Sequence, residues 1–243
     1  MLASDQKLPV AGGAEKRAYV REMFTAIAPT YDRLNRILSL RLDLRWRRYA
    51  VRRLGWERAP DGIYLDLCAG TLDFAAILAR EPRFRGRVVG VDFVRRMLEL
   101  GRRKADRVDP VVADALLLPF PDGAFDGALI GWGVRNLADL DAGLAELARV
   151  LRPGARVVVL DTATPDRQPL RGAYLFYFER LLPRIGRWVS RHRSAYRWLA
   201  ESARAFVTPA ELARRLGRAG FTDVTYTPLL GGVTALHLGT RGG

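Results

Sequence analysis

One cysteine, Cys68, and two histidines, His192 and His237, are all the soft ligands among the 243 residues. A lone thiol excludes an intramolecular disulfide, and so few thiolates and imidazoles cannot assemble a structural zinc site, so no metal is expected. No run approaches the roughly 18 apolar residues of a bilayer-spanning helix. The stretch from Met1 to Arg21 is polar where a secretory signal would be apolar, so a cytoplasmic location is expected. Zinc-finger spacing, an RNP-like aromatic strand and a clear helix-turn-helix are missing as well, and no nucleic-acid partner is expected. Acidic residues are in the minority, 26 against 40 Lys and Arg, for a formal charge of +14. Such an excess favours an anionic partner without choosing among phospholipid, nucleic acid and acidic protein. Solvated arginine-rich helix faces would give the same count.

What is present suffices for one core, with 49% of residues apolar. Residues 1–18 read as a flexible arm, with order beginning near Tyr19. Residues 19–60 carry helical spacings (Phe24, Ile27, Tyr31, Leu34, Ile37, Leu38) divided by Pro29, giving one or two helices that form an N-terminal lid. From 61 to 165, apolar runs alternate with helical segments. Strands are expected at Ile63–Leu67, Val88–Val91, Val111–Val112, Phe125–Ile130 and Arg156–Leu160. Helices fall at Phe74–Ala79, Arg95–Ala105 and Leu140–Leu151, the last ended by Pro153-Gly154. Residues 166–207 form a helical, arginine-rich insertion from Leu170 to Ala205. Then Thr208-Pro209-Ala210-Glu211 opens a helix with a Thr cap, a Pro at the first position and a capping-box Glu. Phe221–Thr227 and Val233–Gly239 close residues 208–243 as an antiparallel hairpin. The fold class is α/β, a doubly wound, Rossmann-like sheet of seven strands with extra N-terminal and late helices.

The sharpest local feature is Leu65-Asp66-Leu67-Cys68-Ala69-Gly70-Thr71-Leu72-Asp73, a strand running into a small-residue turn and a helix. Ligands of doubly wound sheets bind at such strand ends, and Gly70 has no Cβ to block close approach. Thr71 and Asp73 can face a ligand, cap the helix, or do both. The turn has a single glycine, so the Gly-x-Gly-x-x-Gly cradle for a pyrophosphate is absent. Asp92 ends the second strand, where a carboxylate can accept from both ribose hydroxyls or cap the segment starting at Phe93. Asp114 ends the third strand within reach of an adenine amino group, with Ala115 leaving room for the ring. Acidic groups at three strand ends or turns of a basic protein suit S-adenosylmethionine better than ATP, though a flavin or NAD enzyme could also place an Asp at the second strand.

These residues, with others in the same order, resemble the UbiE/MenG family of ubiquinone and menaquinone C-methyltransferases. Phe24 to Asn35 is similar to the family's opening, followed by Leu38-Ser39 and Arg45-Trp46-Arg47. Leu118 to Asp126 is common to class I methyltransferases in general. Trp132-Gly133-Val134-Arg135-Asn136 is narrower, and Tyr196 to Phe206 and Gly231 to His237 add to the match. The resemblance implies methylation of a ring carbon of a lipophilic, polyprenylated quinol by S-adenosylmethionine, with Thr71, Asp92, Asp114 and Ala115 on the cofactor. A serine that the family can place on the fourth strand corresponds to Gly131, where the contact is lost or falls to backbone. Leu72 replaces a common glycine and, with Cys68, tilts the reading toward a menaquinone substrate over the benzoquinol. Asp161-Thr162-Ala163 stands for the family's Glu-Phe-Ser.

Within that reading Arg135 and Asn136 face the quinol ring, Arg135 stabilising a phenolate rather than acting as a base. Tyr31, and after it Asp32, would lie over the site. His192 and His237 are not at strand ends of the active edge. The segment Tyr174 to Phe178 with Leu181-Leu182 and Arg184, Arg187, Arg191, Arg193 and Arg197 could hold the tail and meet an anionic membrane surface. The oligomeric state is left open, a homodimer included. Two rival readings stand beside this one: a methyltransferase for another phenolic or polyketide ring, and a non-catalytic module with a nucleic-acid-binding surface.

Overall fold

The computed structural model describes residues 8–165, 168–176 and 193–243. Seven strands form one sheet: β1 (Ile63–Leu67), β2 (Arg87–Asp92), β3 (Val108–Val112), β4 (Phe125–Gly131), β5 (Leu151–Thr162), β6 (Phe221–Leu229) and β7 (Thr234–Arg241). Their order is β3-β2-β1-β4-β5-β7-β6, with β7 antiparallel to both neighbours. Around it lie α1 (Gly13–Ile27), α2 (Tyr31–Leu38), α3 (Leu42–Leu54), α4 (Asp73–Ala79), α5 (Arg95–Gly101), α6 (Leu140–Val150), α7 (Leu170–Phe176), α8 (Arg193–Ala205) and α9 (Pro209–Arg218).

Strand alternation sorts the core into two layers. Leu65, Leu67, Ala128, Ile130, Val157 and Val159 pack with Leu144, Leu147, Leu212 and Leu216 of α6 and α9. The intervening Tyr64, Leu129, Val158 and Leu160 pack on the other face with α3 and α4, through Val51, Leu54, Phe74 and Leu78. Chain order reverses between β1 and β4, so a crevice opens at their carboxyl ends.

Several expectations shift. Helix α1 begins at Gly13 rather than near Tyr19, because Lys16, Val20, Met23 and Ile27 share one buried face. Three α-helices precede β1, and the last of them packs into the core through Ala50, Val51 and Leu54. Pro153-Gly154 does not merely end a helix: α6 stops at Val150, and the pair lies in an irregular stretch of β5 where the register jumps from Phe125–Leu151 to Gly127–Arg156. Strand β3 runs from Val108 through Pro110, which an edge strand tolerates. The segment expected as helix to Ala105 tightens into a 3-10 turn after Gly101. Thr208 accepts the Glu211 N–H at 3.2 Å as foreseen, but the Glu211 carboxylate turns to Arg214 and Arg215 instead of closing the box. Of the expected helical insertion, α7 and α8 are seen, and residues 177–192, with Phe178, Leu181, Arg184, Trp188 and His192, lie outside the described residues.

Leu72 shows how this chain replaces a turn glycine. It keeps a left-handed backbone (φ 63°) and is buried, its side chain seated over two glycines. A Cβ on Gly90 would stand 2.2 Å from Leu72 Cδ2, and one on Gly101 2.4 Å from the Thr71 carbonyl oxygen. Gly90→Ala is therefore expected to cost about 1–3 kcal/mol by overpacking. In urea unfolding, the pair Gly90→Ala with Leu72→Ala should cost less than the sum of the two single changes, and strict additivity would contradict the contact.

Candidate active site

Strand β1 delivers its chain into the turn through Cys68 (φ 55°) and Gly70 (φ 53°), and β4 is followed directly by Trp132 (φ 56°). Left-handed non-glycine residues at two adjacent strand ends are strained features of the kind that cluster at sites. They wall a cavity of about 700 Å³, counting its open mouth, to which Gly70, Asp92, Asp114, Ala115, Gly131 and Asn136 contribute. Asp92 accepts the Gly70 and Val94 N–H groups at 2.8 and 2.9 Å. Burial pushes its pKa up to about 6 against those bonds. Asp114 accepts from the Leu116 N–H at 3.0 Å and pairs with Arg17 of α1 at 2.6 Å. Burial, reinforced by Asp92, Asp66, Asp161 and Asp114, raises the Cys68 thiol well above its usual range, so it stays protonated in a field of negative charge. That field, the Asp92 carboxylate and the Asp114–Ala115 wall fit a ligand carrying a sulfonium, a ribose and an adenine.

A second, larger cavity of about 1650 Å³ including its opening adjoins the first, and Phe24, Tyr31 and Trp132 border both. Its wall is mainly apolar, with Leu34, Leu38, Trp46, Tyr196, Trp198 and Leu199 among its residues. Two buried guanidinium groups belong to it. Arg135 donates from one nitrogen to Asp161 at 2.7 Å and to the Trp132 carbonyl at 2.8 Å, while its Nε has no partner. Arg47 lies over the Phe74 and Trp132 rings at 4.9 and 4.8 Å from the centroids, and its Nε is likewise without a hydrogen bond. Buried donors left unpaired are costly, so each marks where an acceptor oxygen would be welcome.

The expected residues divide accordingly. Gly70, Asp92, Asp114, Ala115 and Gly131 come together on the first cavity, and Tyr31 sits at the junction. Thr71 and Asp73 are buried outside both linings. Thr71 Oγ1 meets Asp32 and Lys104, and Asp73 takes Arg36 and Lys104, each at 2.7 Å. Arg135 and Asn136 part company: Arg135 faces the larger cavity and Asn136 the smaller one. The Asn136 amide is held by Trp198 Nε1 at 2.9 Å and donates to the Trp132 carbonyl at 3.1 Å, which ties α8 to the loop after β4. His237 is buried on β7 against the Pro209 carbonyl, away from both linings. Sequence reasoning missed Arg47 and the role of Asp161. Their signal was a basic residue beside Trp46 and an acid where the family pattern places one.

A model of the ubiE/COQ5 methyltransferase family matches residues 13–241. The chain belongs to that family. It is 48% identical to the demethylmenaquinone methyltransferase of Thermus thermophilus over 90% of this chain and all of that one. It is 40% identical to the ubiquinone/menaquinone biosynthesis C-methyltransferase UbiE of a Geobacter species, over 94% and 98% of the two chains. Among solved structures, a SAM-dependent methyltransferase from Thermotoga maritima superposes with a TM-score of 0.63 at 20% identity, covering 91% and 99%. The [4+2]-cyclase SpnF superposes with a TM-score of 0.61 at 17% identity, covering 82% and 81%, so the fold by itself does not select the reaction. Family membership does: the protein is an S-adenosylmethionine-dependent methyltransferase with a quinol-type acceptor.

Behind the turn of this methyltransferase, Asp66 is buried and accepts the Ala75 N–H at 2.9 Å. Burial lifts its pKa to about 7, opposed by that bond and by Arg47. Since the folded value lies above the unfolded one of about 3.9, Asp66 destabilises the fold progressively as pH rises from about 4 to 7. Asp66→Asn keeps an acceptor for Ala75 and removes the titration. The variant should gain a few kcal/mol over the parent between pH 5 and pH 8 in urea unfolding. An unchanged difference across that range would refute the raised pKa.

Proposed function

We propose that the enzyme methylates a ring carbon of reduced demethylmenaquinone. The observation that carries this is the meeting of two cavities at Tyr31 and Trp132: one acid-walled and sized for the cofactor, the other large, apolar and edged by two buried guanidinium groups. Its relatives' names point to the same acceptor. S-adenosylmethionine, when bound, supplies a methyl group made electrophilic by its sulfonium. The side chains of the chain bind, orient and polarise around it.

Asp92 would accept from the ribose hydroxyls, and Asp114 with Ala115 would hold the adenine edge beside Arg17. An aromatic carbon attacks well only if the ring is electron-rich, so the quinone is reduced first and a hydroxyl proton passes to water as charge develops on oxygen. The ring carbon would then bond to the methyl group as the methyl–sulfur bond breaks, and the proton on that carbon would pass to water to restore the aromatic ring. Arg135, fixed by Asp161 on the cavity wall, stabilises the phenolate through the positive charge of its guanidinium, a preorganised role for which it suits better than a base. Arg47 offers a second donor on the same cavity. Burial raises the Tyr31 phenol above its ordinary pKa, so it remains protonated and serves as an apolar and hydrogen-bonding face between the two ligands. Holding carbon and methyl in line then contributes through orientation. The prenyl tail follows the apolar wall, and its bulk brings the enzyme to the membrane that holds the substrate.

The test is to give purified enzyme S-adenosylmethionine with chemically reduced demethylmenaquinone. C-methylated product is expected, and its absence with folded, cofactor-binding enzyme would rule the proposal out. Two variants separate the halves of the site. Asp92→Ala should weaken cofactor binding by roughly ten- to a hundredfold in calorimetry. Arg135→Lys, which keeps a charge for Asp161, should bind the cofactor normally and lose roughly a hundredfold or more in kcat. The reverse pattern would exchange the two assignments.

A further inference from the structure

Three surface elements meet at the mouth of the larger cavity, and each carries an exposed aliphatic side chain. Leu40, in the turn between α2 and α3, is 82% exposed, and Leu230, in the turn between β6 and β7, is 56% exposed. Leu170 opens α7 against Gly231, and Phe176 at the end of the same helix is 56% exposed. Leu40, Leu170 and Leu230 all border the cavity. Both turn leucines stand in the left-handed region, with φ of 51° and 46°. A leucine there is strained, and a leucine left in water gains nothing from burial, so these two positions are doubly unfavourable for a protein that meets only water.

Among the described residues, the exposed charged neighbours of these side chains in sequence are basic. Arg41 follows Leu40, Arg45 lies one helical turn further along α3, and Arg171 follows Leu170; all three are exposed. None of them forms an ion pair with a carboxylate among the described residues, so their charge is open to an anionic partner. The nearest acid in sequence, Asp43, is buried and committed to Arg36 and Ser39. Apolar tips ringed by unopposed arginines complement an anionic bilayer, where aliphatic groups enter the acyl boundary and guanidinium groups stay with the phosphates.

We infer that the mouth of the acceptor cavity is a docking surface for an anionic phospholipid bilayer, seated on the Leu40 and Leu230 turns and α7. The inference rests on the quinol reading and adds to it the route of entry. A lipophilic acceptor would slide from the membrane between these turns to Tyr31 without crossing water.

The experiment is flotation of the full-length enzyme with vesicles of phosphatidylglycerol and phosphatidylcholine, with no quinol present. Binding that weakens with salt is expected. Leu40→Asp with Leu230→Asp should reduce it by at least about tenfold. Aspartate tolerates the left-handed conformation better than leucine, so the fold should survive, as checked by cofactor affinity and thermal unfolding. Arg41→Glu with Arg45→Glu should reduce binding to phosphatidylglycerol vesicles by a similar factor and remove most of the salt dependence. Wild-type binding that is absent, or equal to that of the leucine pair, would overturn the docking surface. Methylation of a short-tailed, water-soluble quinol is measured separately: its absence tells against the quinol reading alone, whatever the vesicles show.

Discussion

One carboxylate, Asp73, fastens the N-terminal helices to the sheet, and both cavities depend on it. It stands at the first position of α4 and gathers Arg36 from α2 and Lys104 from beyond α5, with Arg47 of α3 at 3.8 Å. Burial alone would raise its pKa, yet the charges of Arg47 and Lys104 and the hydrogen bonds of Lys104 and Arg36 hold it at about 2. A buried cluster of this kind adds little net stability over an apolar core. Removing one member strands the others, at about 3–5 kcal/mol, so the arrangement is all or none. What it fixes is geometry. Tyr31, Leu34, Trp46 and Arg47 all reach the acceptor cavity from helices that this cluster anchors.

The same electrostatics explains how a protein of charge +14 keeps an acidic pocket. Many arginines lie on the outer surface, whereas Asp66, Asp92 and Asp114 sit on or just beyond the ends of β1, β2 and β3, where backbone N–H groups solvate them. Burial lifts Asp66 and Asp92 toward neutrality, so their negative charge is moderate when the site is empty. A sulfonium brought into the cavity that Asp92 lines would restore the ionisation of that carboxylate. Cofactor binding and carboxylate ionisation therefore favour each other, while exposed arginines such as Arg41 and Arg45 can meet a different, anionic partner.

Periodicity and strand-end logic made the sheet legible, because residues 64–67 and 125–130 are largely buried on both faces and read as apolar runs interrupted only by Asp66 and by Asp126-Gly127. Asp92 was legible because it ends β2, and Asp114 because it lies two residues beyond the end of β3. Thr71 and Asp73 were not, since nothing local shows that Asp32, Arg36 and Lys104, 31 to 39 residues away, will claim them. Pro153-Gly154 spoke for a helix stop and concealed the irregularity of β5, whose cause is pairing with Phe125. The partition of Arg135 from Asn136 was equally hidden. A 3-10 turn over Val134–Asn136 sends consecutive side chains to different cavities, where the sequence shows only neighbours.

Gly131 shows how a departure from a family pattern can be read as packing. A Cβ there would stand 2.4 Å from Phe74 Cε2 and 3.0 Å from an Arg47 guanidinium nitrogen. The space a serine would need is filled by Phe74 and by the guanidinium that lies over both it and Trp132. Losing a hydroxyl on the cofactor side and placing Arg47 on the acceptor side are thus one steric choice. The glycine is what lets a cation approach the boundary between the two cavities, close to where charge would develop on the quinol oxygen. A serine at 131 could be accommodated only if Phe74 or Arg47 moved, and moving Arg47 would draw it from Asp73. The constraint that organises the helices therefore also decides which residue the fourth strand can end on.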